Sequence, residues 1–331
     1  MEKISILIVN YNSSKFLIKC LDSIEKLKNK NLSLSVIIVD NNSSNLELCL
    51  LEDFLESKYF LLKESLAEIN KFSFQIKMYE SSSINYHSIS LKENIGFAGG
   101  INLGGSYSLE GIKPDYLWIL NPDVILEKNA LKELIKKASS KKYFAIGSKI
   151  TKYETNDIEI SGGGKYYPFL GITKNIKIEG HNEELIEKSF DFIHGSSIFL
   201  PAESFKKNKG FNEIFFHYYE EIEFFRRSKD ISLGYASKSI VHHFGGGSNL
   251  DLKKESYKDD FSIFYSFRSR LLFARLMGKR HLYFTFLIFA YSILRRVLFL
   301  RFNEIFIILR AISDGLKVDI SRRKNNNFKK I

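Results

Sequence analysis

The chain of 331 residues predicts an α/β fold, an open sheet with helices on both faces. Three observations carry that expectation. Strand patterns alternate with helix patterns through the first half, the strand patterns are short, mostly apolar runs of the kind buried on both faces, and three of them stop in clusters of Asn, Asp and Tyr. With 44% hydrophobic and 26% charged residues the chain can bury a large core, which excludes wholesale disorder and leaves room for one large or two modest domains.

The first element is the strand Ile4–Val9. Its apolar run is too short for a secretory leader, and Cys20 and Cys49 lack a CxxC spacing, so the expectation is a reducing cytoplasm without disulfides or a zinc cluster. Lys15–Leu27 reads as an amphipathic helix, Leu34–Val39 as a strand ending in Asp40, and residues 46–70 as one long charged helix. Phe74–Tyr79 and Ser88–Leu91 are weaker strand patterns, and a helix opens at Gly96–Leu103. Tyr116-Leu-Trp-Ile-Leu120 is a buried strand, stopped at Pro122, which has no N–H to donate to a ladder. A helix is expected from Glu127, and the Gly-, Tyr- and Ile-rich stretch 144–192 reads as hairpins and loops. No repeat or Pro-rich linker marks a boundary.

The formal net charge of +11 is unevenly spread. Residues 252–331 hold 18 of the 49 Lys/Arg and 6 of the 38 Asp/Glu, a net +12, which leaves −1 for residues 1–251. A neutral body without a basic groove argues against nucleic acid as the partner. The basic tail is also rich in aromatic and aliphatic residues, in the runs His281–Leu294, Val297–Leu300 and Phe306–Leu309. Its longest uncharged piece falls short of the roughly 18–20 residues that span a bilayer. Apolar residues interleaved with Arg instead predict helices lying in a membrane interface, with cations toward anionic head groups, or a helical subdomain with a solvated basic face.

The polar strand ends are the candidate site. Carboxyl ends of adjacent parallel strands share one crevice, so Val9-Asn10-Tyr11-Asn12 and Val39-Asp40-Asn41 can line a nucleoside pocket, Tyr11 stacking on a base and Asp40 accepting from base or ribose; each is also an ordinary turn or cap. Asp123 follows a strand end, where a carboxylate faces a metal, a sugar hydroxyl or a cation, or caps the helix that begins at Glu127. Glu93–Asn102 is a Gly-rich entry into a helix, suited to close backbone approach to an anion and equally to a tight loop. In Phe215–Arg227, Glu220, Glu221 and Glu223 sit among aromatics, the setting of a general base or of plain Glu–Arg pairs. In Val241-His242-His243, a His that ends a strand before Gly245-Gly-Gly-Ser248 borders a ligand and suits Mn²⁺ or Mg²⁺ beside Asp and phosphate oxygens.

Taken together in this order, Val9–Asn12, Val39–Asn41, Glu93-Asn-Ile-Gly-Phe-Ala-Gly99, Leu120-Asn-Pro-Asp123, and Glu220-Glu221 with His243–Ser248 resemble an inverting glycosyltransferase of family 2 with the GT-A fold, most like bacterial rhamnosyltransferase-type enzymes. The resemblance implies a Rossmann-like nucleotide-binding GT-A domain over 1–250 and a basic amphipathic helical, membrane-associating segment over 251–331. It further implies donor-nucleotide contacts at Val9, Asn10, Tyr11, Asn12, Asp40 and Asn41. Asn94, Gly96, Gly99, Asn102 and Asn121 would lie near the ribose, diphosphate and sugar. A divalent cation, Mn²⁺ or Mg²⁺, would sit at Asp123 and at His243 rather than His242. Glu221 maps to the catalytic base beside Glu220; relatives usually carry Glu-Asp there. The implied activity is inverting transfer of rhamnose or another hexose from a dTDP- or UDP-sugar to a saccharide hydroxyl on a lipid diphosphate carrier. It would take place at the inner face of the cell membrane, in surface polysaccharide synthesis. A galactofuranosyl or other UDP-hexose transferase, or a non-catalytic sugar-nucleotide or membrane-binding protein, are the alternatives. Residues 45–90 are longer than usual for the family and carry no expected active-site role.

Overall fold

The computed structural model describes residues 1–27, 32–69, 72–81, 83–168, 170–179, 182–228, 231–244 and 260–320. The expected Gly245–Ser248 segment, residues 251–259 and the basic end 321–331 lie outside them. Strand β1 (Glu2–Asn10) leads to helix α1 (Ser14–Ile24) and a 3₁₀ turn, then β2 (Leu32–Asp40) and α2 (Asn45–Lys58). Strands β3 (Phe60–Ile69), β4 (Phe72–Glu80) and β5 (Ile84–Leu91) form a meander before α3 (Gly96–Tyr107), β6 (Tyr116–Leu120), the short β7 (Val124–Leu126) and α4 (Ala130–Ser140). The middle holds β8 (Ala145–Lys152), β9 (Ile158–Ser161), β10 (Gly163–Tyr167), β11 (Ile172–Asn175), α5 (Glu183–Glu187), β12 (Phe192–Ile193) and β13 (Ser197–Pro201). After α6 (Ala202–Lys207), α7 (Glu220–Arg227) and β14 (Leu233–His243) come α8 (Asp260–Met277), α9 (Lys279–Leu298) and α10 (Phe302–Lys317).

The main sheet runs in the order β3-β4-β5-β2-β1-β6-β13-β8-β14-β7, with β9 paired to β8. Its centre, β5-β2-β1-β6, is parallel, so those carboxyl ends share one edge. Strand alternation divides the core. Ile4, Ile6, Ile8, Trp118 and Leu120 pack under α1, α2 and α4, with Leu17, Leu51 and Leu131. On the opposite face Leu7, Val9, Ile37, Leu117 and Ile119 meet α3 and an aromatic layer of Phe205, Phe211, Phe215, Phe224 and Phe273. Helix α3 lies close to the sheet because Gly100 carries no side chain: a Cβ there would sit 2.8 Å from Val9 Cγ2.

Three expectations need correction, and one strand had none. Residues 46–70 are not one helix: α2 ends at Lys58, Tyr59 turns extended to stack on Tyr86 at 4.3 Å, and 60–69 become edge strand β3, because pairing with β4 outweighs local helix preference. No helix starts at Glu127; β7 intervenes and α4 begins at Ala130, so Asp123 does not cap it. The reason is tertiary, since Val124–Leu126 pairs with Val241–His243. The stretch 144–192 holds hairpins, but Ala145–Lys152 is a strand of the main sheet. Strand β13, which no sequence pattern singled out, lies antiparallel to β6.

The tail is helical and divides into two behaviours. Helix α8 packs into the body through Leu271, Leu272, Phe273 and Ala274. Helix α9 is, among the described residues, long and apolar enough by length and composition to cross a membrane, yet only 11% of that stretch is buried.

Candidate active site

The parallel register sets Asn10 opposite Asp40 and Ile8 opposite Leu120, so β1, β2 and β6 end at one level. A cavity of about 420 Å³ opens just beyond. Its wall takes Val9, Tyr11 and Asn41 from the first two strand ends, Asn94 and Gly96 from the entry to α3, and Asn121 and Asp123 from the end of β6. Glu220 and Glu221 at the start of α7 and His243 at the end of β14 complete it. Ten of the fifteen expected site residues thus face one space although they span most of the sequence.

The other five stand behind the wall. Asn10 Nδ2 donates to Asp40 Oδ2 at 2.8 Å, and Asp40 Oδ1 accepts from the Ser43 amide at 2.9 Å, a buried brace between the two strand ends. Asn12, at φ 50°, accepts from the Ser44 amide at 2.8 Å. Gly99 faces Ile95. Asn102 spans to the loop before α7: its Nδ2 donates to Phe211 O and Glu213 Oε1, and its Oδ1 accepts from Phe211 N, each at 2.8 Å. Gly96 is tightly constrained, with φ 78° and its Cα so close to the loop that a Cβ would sit 2.5 Å from Phe216 O. The amide of Phe97 donates to that same carbonyl at 2.8 Å.

One corner of the cavity is acidic with a histidine at its centre. Pairing of β7 with β14, and the Phe244 amide donating to Asp123 O at 3.0 Å, hold Asp123 beside His243. His243 Nε2 is 3.4 Å from Asp123 Oδ2, and its Nδ1 is 3.1 Å from Glu159 Oε2. Burial alone lowers the proton affinity of His243, but the two carboxylates outweigh it and raise its pKa to about 10. The corner therefore attracts positive charge. Two donors each about 2.1 Å from a hard divalent ion, and adjacent in its octahedron, are about 3 Å apart, so Asp123 and His243 fit Mn²⁺ or Mg²⁺ as a pair. Among the described residues no three His, Cys, Asp or Glu side chains are arranged to hold a metal by themselves, so a cation there would need further ligands from water or a bound molecule. Strand alternation turns His242 away, to Thr151 Oγ1 at 2.8 Å.

Across the cavity stand two carboxyls. Tyr218 and Tyr219 both adopt left-handed backbone, φ 65° and 69°, an uncommon pair that reverses the chain just before α7. Tyr219 is pinned there: its hydroxyl donates to Gly171 O at 2.7 Å and accepts from Arg270 Nε at 3.0 Å. Glu220 Oε2 and Glu221 Oε2 are buried without a hydrogen-bond partner. Burial raises both proton affinities, and the neighbouring Glu221 charge adds to the rise at Glu220; Glu221 is pushed up to about 7 against the pull of its own backbone amide. Glu223, by contrast, is taken up by Arg227 at 3.0 Å.

Several wall residues had no sequence expectation. His194, Gly195 and Ser196 enter because β13 runs antiparallel to β6, which brings its beginning to the carboxyl edge. The polar His194-Gly-Ser-Ser197 cluster before an apolar run was the available signal. Phe261 of α8, likewise without an expectation, closes the cavity beside Phe216, His217 and Tyr218 of the expected Phe215–Arg227 segment, while Ser269 Oγ donates to His217 O at 2.7 Å. Glu159, far from any motif, had no signal.

A mixed sheet with helices on both faces, its strand ends opening on one cavity and helices following at the C-terminus, is the GT-A fold of glycosyltransferases. The chain is 27% identical over 243 residues to the low-salt glycan biosynthesis hexosyltransferase Agl10 of Haloferax volcanii, covering 72% of this chain and 74% of that protein. Its fold resembles the mannosyltransferase PcManGT of Pyrobaculum calidifontis, solved with GDP-Man and Mn²⁺ (TM-score 0.52, 12% identity, 96% of this chain and 75% of that one). It also resembles GalNAc-T7, solved with UDP, GalNAc and Mn²⁺ (TM-score 0.55, 13% identity, 81% of this chain). The chain spans about half the length of GalNAc-T7 and less than two thirds of some other matched chains. No family model matches it.

Proposed function

We propose that this chain is a hexosyltransferase of glycan synthesis that moves a sugar from a nucleoside diphosphate to a hydroxyl of a saccharide acceptor, with inversion at the anomeric carbon. The observation that carries the reading is the juxtaposition in one cavity of the Asp123–His243 corner with the Glu220 and Glu221 carboxyls, each of which has one buried oxygen without a hydrogen-bond partner. The likeness to a glycan biosynthesis hexosyltransferase supports the same class.

In this reading Tyr11, 43% exposed at the cavity mouth, stacks on the base of the donor, and Asn41 and Asn94 offer hydrogen bonds to the nucleotide. Asp123 and His243 hold a divalent cation, Mn²⁺ or Mg²⁺, which when bound supplies charge neutralisation for the diphosphate leaving group. Glu221 accepts the proton of the acceptor hydroxyl as its oxygen bonds to the anomeric carbon. The bond from that carbon to the diphosphate oxygen breaks on the opposite face, the electron pair leaving with the nucleotide. A carboxylate with a pKa near 7 suits this work, because it is largely ionised at neutral pH yet basic enough to take a proton. The aromatic walls, Phe97, Phe216 and Phe261, keep water from the reacting atoms.

The donor is proposed to be a dTDP- or UDP-activated hexose, rhamnose among the candidates, and the acceptor a sugar on a lipid diphosphate at a membrane surface. The basic tail with its apolar helices supports the last point. Incubating the protein with a panel of sugar nucleotides, Mn²⁺ and membrane lipid extract, and measuring nucleotide release, tests the reading. Release from one donor that needs the extract supports it; no release above buffer from any donor rejects it.

A further inference from the structure

The helices α9 and α10 present a face that nothing among the described residues covers. On α9, Tyr283, Leu287, Tyr291, Leu294 and Leu298 are exposed, and steps of four, four, three and four put them on one stripe. On α10, Phe302, Phe306, Leu309 and Leu316 form a second stripe. The two meet at a turn where Phe299 and Leu300 are 65% and 74% exposed. So many large apolar side chains gathered at one end exceed the scattered exposure normal for a soluble surface.

Beside this tip lies a cavity of about 400 Å³ lined by Arg295, Arg296, Phe299 and Arg301. Arg296 Nε donates to Glu304 Oε2 at 2.8 Å, and Arg301 pairs with the same carboxylate. Arg295 makes no ion pair among the described residues and holds its guanidinium 5.9 Å from the Phe299 ring centre. Three guanidiniums therefore face one carboxylate, and the start of α10 adds its partial positive charge. The cavity is built for an anion, with planar donors that match phosphate oxygens.

We propose that the α9–α10 hairpin docks the protein on an anionic bilayer, its apolar tip entering the acyl boundary while Arg295, Arg296 and Arg301 hold the phosphate of a phospholipid head group. Charge complementarity selects this occupant: a second copy on the same face by two-fold symmetry would bring two cationic clusters together, whereas an anionic bilayer supplies apolar depth and phosphates in one surface. The hairpin lies on the membrane, since α9 is packed along α8 and α10 and α10 carries Arg310, Asp314 and Lys317 between its apolar residues. The proposal rests on the reading that the acceptor is membrane-borne and names the element that reaches it.

The test is flotation of the full chain with vesicles of phosphatidylcholine, with and without 30 mol% phosphatidylglycerol. Flotation is expected with the anionic vesicles only, weakening at high salt and released by alkaline carbonate. Each Arg beside such a surface is worth about fivefold in affinity, so Arg295→Gln/Arg296→Gln/Arg301→Gln is expected to bind about a hundredfold more weakly. Because that variant strips the buried Glu304 of its partners, Arg295→Gln alone, at an exposed position, is the second arm, with a loss of about fivefold. Leu298→Ser/Phe299→Ser is expected to weaken binding and leave its salt dependence unchanged. Equal binding by wild type and Arg295→Gln, equal binding to neutral vesicles, or resistance to carbonate overturns the proposal. So does complete displacement by millimolar inorganic phosphate, or a dimer in light scattering that Leu298→Ser/Phe299→Ser dissociates. Nucleotide release with a water-soluble acceptor separates the two readings: transfer without vesicle binding sinks the docking alone, and binding without transfer sinks the activity alone.

Discussion

Replacing Glu221 by Gln separates catalysis from stability and predicts opposite signs for the two. The side chain keeps its shape and loses its proton affinity, so the contribution of a general base, about 10²–10⁴-fold in rate, is lost. In the proposed mechanism the working form is the carboxylate, with a pKa of about 7, so kcat/KM is expected to rise about tenfold per pH unit up to about pH 7 and to be level above it. The Gln variant has no such limb. Stability moves the other way. A carboxyl whose folded pKa of about 7 lies above its unfolded 4.5 costs nothing below pH 4.5, costs more as pH rises between those values, and costs the full amount above 7. At about 1.4 kcal/mol per pH unit the full amount is about 3–4 kcal/mol at most, less for the water that reaches a partly exposed side chain. Glu221→Gln is therefore expected to unfold at a higher urea concentration than the wild type at pH 8 and to match it near pH 4.5. The assays are initial rates of nucleotide release from pH 5 to 9 and urea unfolding at pH 8 and at pH 4.5. Near-full turnover by the variant, or a wild-type rate flat from pH 5 to 9, refutes the assignment of Glu221. Equal stability of variant and wild type at pH 8 refutes the burial argument.

Glu159→Ala is expected to lower Mn²⁺ affinity about 10–100-fold, read by calorimetry with a nucleoside diphosphate present, because Glu159 orients His243 through Nδ1; unchanged Mn²⁺ affinity removes Glu159 from that role. Gly96→Ala places a Cβ at φ 78° against Phe216 O and is expected to cost about 2–4 kcal/mol in urea unfolding, and to raise the donor KM as the cavity wall shifts. Asn102→Ala is expected to cost about 1–3 kcal/mol by unpairing the backbone of Phe211 while leaving the donor KM within about twofold. A tenfold rise in KM at unchanged stability would instead make Asn102 a donor contact.

The elements legible in the sequence were those whose signal is local. Ile4–Val9, Leu34–Val39 and Tyr116–Leu120 are apolar runs, broken only by the small Ser5 and Ser35, because both faces of a central parallel strand are buried, and each became a central strand. The edge strand 60–69 was hidden because it follows the charged helix without a break signal and residues 60–67 are mostly exposed, so no apolar alternation marked it and only pairing with β4 made it a strand. Val124–Leu126 was hidden by its length, and its partner lies more than a hundred residues further on. Asn10 and Asp40 occupy a strand end as expected, yet their side chains hydrogen-bond to each other, a choice between ligand and neighbour that no spacing reveals.

By itself, the sequence determined the α/β class, the level at which the central strands end, and which residue types gather there, because hydrophobic period and chain-breaking residues act over a few positions. Only the tertiary structure decided which of those residues share a cavity. Asp123 meets His243 through an antiparallel pairing, Glu159 joins them from a strand with no motif, and two left-handed tyrosines aim Glu220 and Glu221 at the same space. Each of these depends on contacts between residues far apart in the chain, where the energy lies in pairing and burial and leaves no local pattern.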